Sequence, residues 1–237
     1  MTQVSPGKIF LHRADALAYI TLDRPRTHNR LSASMVASLC DICAELSHDN
    51  TVRVIIVIGK GNCFSCGWET PRQGNSLPRP AAALASLKKP VIAALNGDAI
   101  DQGLEIAMAA DIRIAADHAK LGITMVRKGK LPWDGGTQRL SRITGRAKSI
   151  EMLLTGNLIK ADEAMRTGLV NQVVPREKVI EVAENLAKQI GSTGPIAAQY
   201  AKEAVSRGQD LKLDDGLRLE GDLNFLLHGT RDRAEGL

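Results

Sequence analysis

Two short apolar runs, residues 52–58 and 91–95, constrain this chain most. Each is rich in β-branched or small side chains and has the length of a strand. Each ends in a turn signal, Gly59-Lys60-Gly61-Asn62 in one case and Asn96-Gly97 in the other, so both read as buried strands. Residues 17–22 alternate like a half-buried strand and break at Asp23-Arg24-Pro25. Between these strands, Met35, Leu39, Ile42 and Leu46 recur with helical spacing, which predicts a helix over 33–47 with Ser32 as its N-cap. A small-residue helix over 102–110 and a strand over 111–115 follow the second buried run. Beyond Thr144-Gly145 the pattern turns helical, over 146–155, 161–167, 176–190 and 195–207. The expectation is an α/β core over 1–145 and a helical region over 146–237. Three prolines make 71–80 a loop, and the polar stretch 229–237 has no evident partner within the chain.

The 237 residues include 31 basic and 26 acidic side chains, a net charge of +5, and only 3% are aromatic. Stacking platforms for nucleic acid are not expected from so few rings, whereas a mildly basic surface suits a phosphate-bearing small molecule. No run of ~18 apolar residues suggests a membrane span, and the first residues lack the apolar core of a signal peptide, so a cytoplasmic protein is expected. Four cysteines form two C-x-x-C pairs, Cys40/Cys43 and Cys63/Cys66. That spacing resembles a zinc ribbon, but the first pair falls inside a helical repeat rather than on a tight turn. Neither a metal site nor a disulfide is therefore expected. The five histidines show no metal-ligand spacing, and no phosphate-binding glycine motif follows a strand.

Three loops follow buried strands, where open α/β sheets place ligands. They are residues 63–69 (Cys-Phe-Ser-Cys-Gly-Trp-Glu), 96–105 (Asn-Gly-Asp-Ala-Ile-Asp-Gln-Gly-Leu-Glu) and 131–140 (Leu-Pro-Trp-Asp-Gly-Gly-Thr-Gln-Arg-Leu). Together with Leu22-Asp23-Arg24-Pro25, 89–97, 151–156 and 164–170, they resemble the crotonase (enoyl-CoA hydratase/isomerase) superfamily, in family order along most of the chain. The resemblance implies a crotonase-like α/β fold, a ββα spiral core with a helical C-terminal trimerisation region. It also implies a homotrimer or a dimer of trimers. The implied substrate is an acyl-CoA thioester, with coenzyme A as its handle and no separate cofactor. The thioester carbonyl would lie between two main-chain N–H groups, those of Trp68 and Gln102. Glu105 would be the principal acid/base, though an acidic residue in a helix's first turn is also favoured by the dipole alone. Cys66, Gly67, Gly103, Met125 and Trp133 would line the substrate, and Arg26 would meet the nucleotide phosphates.

The chain departs from the pattern in several places. Met125 stands where hydratases carry a second glutamate, and Arg127, Lys128 and Lys130 replace mostly apolar or small residues. Asp134 is the nearest replacement acid, with a turn or N-cap role before Gly135-Gly136 as the plainer reading. Glu69 reads as a solvated loop charge, and Asp98 and Asp101 as N-capping residues at the helix start. The segment from Trp68 to Lys89 is short for the family, and the last helix that often covers coenzyme A is expected to be missing. One carboxylate suits double-bond isomerisation better than hydration. The alternative is a crotonase-fold protein that binds acyl-CoA without turnover.

Overall fold

The computed structural model describes residues 7–69 and 78–235. The chain opens with β1 (Lys8–Ala14) and β2 (Leu17–Asp23), then α1 (Ala33–His48), β3 (Val54–Gly59) and β4 (Cys63–Cys66). After the undescribed stretch come α2 (Pro80–Ala85), β5 (Val91–Leu95), β6 (Asp98–Ile100), α3 (Gln102–Ala109), β7 (Ile112–Ala116) and β8 (Lys120–Gly122). The remainder holds α4 (Gly136–Thr144), α5 (Arg146–Thr155), β9 (Ile159–Lys160), α6 (Ala161–Arg166), β10 (Gln172–Val174), α7 (Val179–Gly191), α8 (Pro195–Gly208), α9 (Leu213–Leu227) and α10 (Arg231–Glu235).

The strands form two sheets, ordered β1-β2-β3-β5-β7-β10 and β4-β6-β8-β9. Pairing is parallel throughout except for β1/β2 and β8/β9. The two apolar runs sit side by side in the centre of the larger sheet, Ile55 against Val91 through Ile58 against Ala94. Burial on both faces explains why neither alternates. Ser32 caps α1 as expected, its Oγ accepting from the Met35 N–H at 3.3 Å. Helix α7 packs on β3, β5 and β7, and α3 lies between the smaller sheet and α2 and α4.

Three expectations need correction. The division at residue 145 does not separate sheet from helix, because β9 and β10 complete the two sheets from beyond it. Helices α4 and α9 were not foreseen. The stretch after residue 229 does have a partner: Asp232 Oδ2 accepts from the N–H groups of Ile196 (2.6 Å) and Ala197 (3.0 Å), capping α8. Most of the loop expected over 71–80 lies outside the described residues, and Pro80 opens α2, where its missing N–H costs nothing.

Candidate active site

A cavity of about 460 Å³ opens between the end of β4, the start of α3 and the segment from Met125 to Trp133. Two local conformations bring main-chain donors to it. After Cys66 the chain turns through Gly67 at φ +95, a left-handed value that a Cβ would strain. Leu31 then bridges the next residues, donating its N–H to Gly67 O (2.9 Å) and accepting at its carbonyl from the Glu69 N–H (2.8 Å). The intervening Trp68 N–H has no acceptor among the described residues. On the other side Asp101, at φ 54 and ψ −119, turns β6 into α3, whose first N–H groups have no carbonyl four residues back. That of Gln102 is likewise without an acceptor. Gly103 makes the approach feasible, since a Cβ there would lie 1.9 Å from the Ser65 carbonyl oxygen in β4.

Neither acid before the helix caps it. The Asp101 carboxylate turns away, accepting from the Thr124 N–H at 2.6 Å and from the Thr124 hydroxyl at 3.1 and 3.0 Å. Asp98 Oδ1 accepts from the Lys120 N–H at 2.9 Å and so ties β6 to β8. Both corrections have one cause: the side chains find donors on β8 (Lys120) and just beyond its end (Thr124) rather than at the helix start.

Glu105 is fully buried, one turn along α3 from Gln102. Its Oε1 accepts from the N–H groups of Asp134 (2.8 Å) and Gly136 (2.9 Å), while Oε2 has no partner among the described residues. Burial pushes its carboxyl up to about 7, against the pull of those two N–H groups. It does not line the cavity. Trp68 and Trp133 do, with ring centroids 5.1 Å apart; both indole N–H groups are buried and, among the described residues, unpartnered.

Asp134 lies outside the cavity lining, with both oxygens engaged. Oδ2 accepts from the Ala81 N–H at 2.5 Å and Oδ1 from the Ala82 N–H at 3.1 Å. It therefore caps α2, not the helix that follows it, and burial raises its carboxyl. Cys66, Gly67, Met125 and Trp133 all line the cavity, and Gln102 Nε2 reaches Met125 Sδ at 3.8 Å. Gly103 is a packing position behind the wall. Arg26 is exposed on the 3-10 turn Pro25–Thr27, away from the cavity. Glu69 is not simply solvated: it pairs with buried Arg24 at 2.6 Å. Arg127 faces the loop after α5, bonding Thr155 O and Asn157. Sequence reasoning missed Arg30, which lines the cavity with Lys128 and Lys130. It also missed Asn29, whose Nδ2 donates to the carbonyls of Lys60 (2.9 Å) and Cys63 (2.6 Å) and anchors the start of β4. The buried neighbour of Arg30 carries no apolar period, so no local signal marked either. Among the described residues no three potential metal ligands converge, and no helix is long and apolar enough to cross a membrane.

The fold that carries this site is shared with solved structures. An enoyl-CoA hydratase from Bacillus anthracis superposes with a TM-score of 0.91 at 35% identity, covering 97% of this chain and 94% of that one. Among sequences, the (E)-benzylidenesuccinyl-CoA hydratase of Thauera aromatica is 36% identical over 96% of this chain and 93% of its own length. The short-chain-enoyl-CoA hydratase of Clostridium acetobutylicum is 34% identical over 98% and 93%. The enoyl-CoA hydratase/isomerase family profile matches residues 12–237. The chain belongs to the enoyl-CoA hydratase/isomerase family, within the crotonase superfamily, and is an enzyme of that family.

Proposed function

We propose that the chain acts on acyl-CoA thioesters, holding the thioester carbonyl oxygen between the N–H groups of Trp68 and Gln102 while Glu105 carries the proton. The observation behind this reading is the pair of unpartnered main-chain donors at one cavity, with a carboxyl of pKa about 7 one helical turn beyond. Preorganised donors favour the enolate over the neutral thioester, and one such donor contributes ~3–4 kcal/mol. A carboxyl near neutrality both takes and returns a proton. Glu105 removes it from the α carbon and delivers it to the γ carbon, which moves a 3,4 double bond to the 2,3 position. Hydration needs a second acid, and the facing wall offers Met125. Coenzyme A enters as the substrate's handle, its phosphates meeting Arg30, Lys128 and Lys130 at the cavity, with Arg26 farther out.

A second reading, binding without turnover, is favoured by one fact: Glu105 is absent from the cavity lining, to which Trp68 and Trp133 both belong. Parallel assays with 2-enoyl-CoA and 3-enoyl-CoA substrates, on the wild type and Glu105→Gln, separate the two. The expected result is isomerisation faster than hydration, with a loss of about 10²–10⁴-fold in the variant. Equal rates in both proteins remove Glu105 from the chemistry. Acyl-CoA binding with no turnover establishes the second reading.

We also propose a homotrimer, single or stacked in pairs. Helix α9 carries Leu213 and Phe225, each 77% exposed, and along the same helix Leu217 and Leu226, apolar surface that association would cover. Sedimentation that finds only monomer at micromolar concentration refutes it.

A further inference from the structure

The two C-x-x-C pairs, alike in sequence, sit in unlike places. Cys40 and Cys43 lie on α1, where Cys43 is buried among apolar side chains and its thiol is pushed up to about 12 by that burial. Cys63 and Cys66 lie on β4, where a regular strand would point residues three apart to opposite faces. The register shifts between Cys63 and Ser65 as β4 pairs with β6, and the strand curls. As a result the two sulfurs stand 3.0 Å apart. Cys66 lines the cavity, and so does Arg30, whose Nε lies 3.5 Å from the Cys66 carbonyl. Cys63 is buried behind it, within reach of the carbonyls of His28 (3.4 Å) and Asp98 (3.2 Å).

We propose that Cys63 and Cys66 form a hydroperoxide-reactive dithiol at the cavity, Cys66 as the attacking sulfur and Cys63 as the one that closes the disulfide. The thiolate is the nucleophile, so reactivity needs access together with a setting that favours the charged form. Cys66 has both. The hydrogen bond from Cys63 and the charge of Arg30 lower its pKa, against burial and the carboxylates of Asp98 and Asp101. Cys63 is raised, chiefly by that same bond and by its burial, so it waits as the protonated partner. Cys66 attacks one peroxide oxygen, the O–O bond breaks, and a sulfenic acid and water result. Cys63 then attacks the sulfenic sulfur and expels a second water. Overall, two thiols and one hydrogen peroxide give one disulfide and two waters. A sulfur–sulfur bond of about 2.05 Å requires a closure of roughly 1 Å from the present separation. Gly67 and Trp68 follow directly in the chain, so that closure is felt at the cavity wall. The inference rests on the thiols and not on the reaction the cavity performs.

The test uses the reduced full-length protein and one equivalent of hydrogen peroxide. Of the four thiols, two should disappear, the mass should fall by about 2 Da, and a dithiol reductant should reverse both. Peptide mapping should join Cys63 to Cys66. Fluorescence should shift as well, because both tryptophans line the cavity. In Cys63→Ser the reaction should stop at a Cys66 sulfenic acid that dimedone traps. In Cys66→Ser consumption of peroxide should slow by at least about tenfold. The double variant Cys40→Ser/Cys43→Ser should still lose both of its thiols, which keeps the test decisive if a β4 variant fails to fold. Persistence of all four thiols, a link mapped to Cys40 and Cys43, or peroxide consumption by Cys66→Ser at the wild-type rate overturns the proposal.

Discussion

Trp68 and Gln102 each bring an unpartnered main-chain N–H to the loops that form one side of the cavity, whereas the segment from Met125 to Trp133 meets it with side chains. The first region tolerates unusual residues, because an N–H belongs to the backbone whatever side chain it carries. Gln102 can replace a smaller residue and keep the donor, provided Asp101 makes the turn and Gly103 lies flat on β4. The second region has no such insurance. The Met125 thioether cannot carry a proton, and the acid of the loop that follows, Asp134, is committed to the N–H groups of Ala81 and Ala82. Chemistry written in the main chain survives substitution, and chemistry written in side chains is lost with them.

The contrast is tested most severely by pH. Glu105 sits near 7 in the folded protein against 4.5 when unperturbed, so the folded state holds a proton that the unfolded chain releases between those values. The associated stability is full below 4.5 and is lost as pH rises through about 7, a difference of about 3 kcal/mol. Asp134 is raised too and adds with the same sign. Urea midpoints at pH 5 and pH 8 should differ accordingly in the wild type and much less in Glu105→Gln. Equal slopes in both proteins would mean the carboxyl is not buried as described.

Next in size is Asp134→Ala, which removes the cap of α2 and should cost about 2 kcal/mol. Activity per folded molecule should stay within about threefold. A tenfold loss of turnover with the urea midpoint unmoved would transfer Asp134 to the chemistry and break the contrast. The smallest expected change is a gain. Met125→Glu returns an acid to the side-chain wall and should raise crotonyl-CoA hydration at least about tenfold. Burial raises the new carboxyl, and the nearby Lys128 and Lys130 oppose that. If the variant folds, binds acyl-CoA and hydrates no faster, the ring pair of Trp68 and Trp133 has closed the path to the α and β carbons.

Much of this was legible in the sequence where the signal is local. The buried strands β3 and β5, and α1 with Ser32, declare themselves through dense apolar runs and a fixed period. Strands β4, β6, β8, β9 and β10 have two to four residues each, and only their partners make them strands. The site loops at 63–69 and 96–105 were legible because they come after the apolar strands β3 and β5. The loop at 131–140 follows a 3-10 turn and not the buried strand expected, and only its internal Gly135-Gly136 made it legible. What Asp134 does was not, because its acceptor role is decided by N–H groups 53 and 52 positions upstream. The burial of Glu105 outside the cavity lining was hidden for the same reason: its Oε1 partners lie 29 and 31 positions downstream, and no single segment encodes that meeting.

Asp101 holds a backbone conformation that residues with a Cβ rarely adopt, and the N–H and hydroxyl of Thr124 keep its carboxylate in place. The two positions therefore share a mutational history. A glycine arriving first at 101 would relax the turn and release 124 to drift, each step close to neutral. The same changes in the opposite order would pass through a chain whose Asp101 is strained and unheld, with the turn into α3 loosened. Neighbours coupled in this way do not add, and the order of their replacement becomes part of what is inherited. Lineages that carry an aspartate at this turn would then retain a threonine at the position just after β8 that holds it, long after either residue alone had lost its reason to stay.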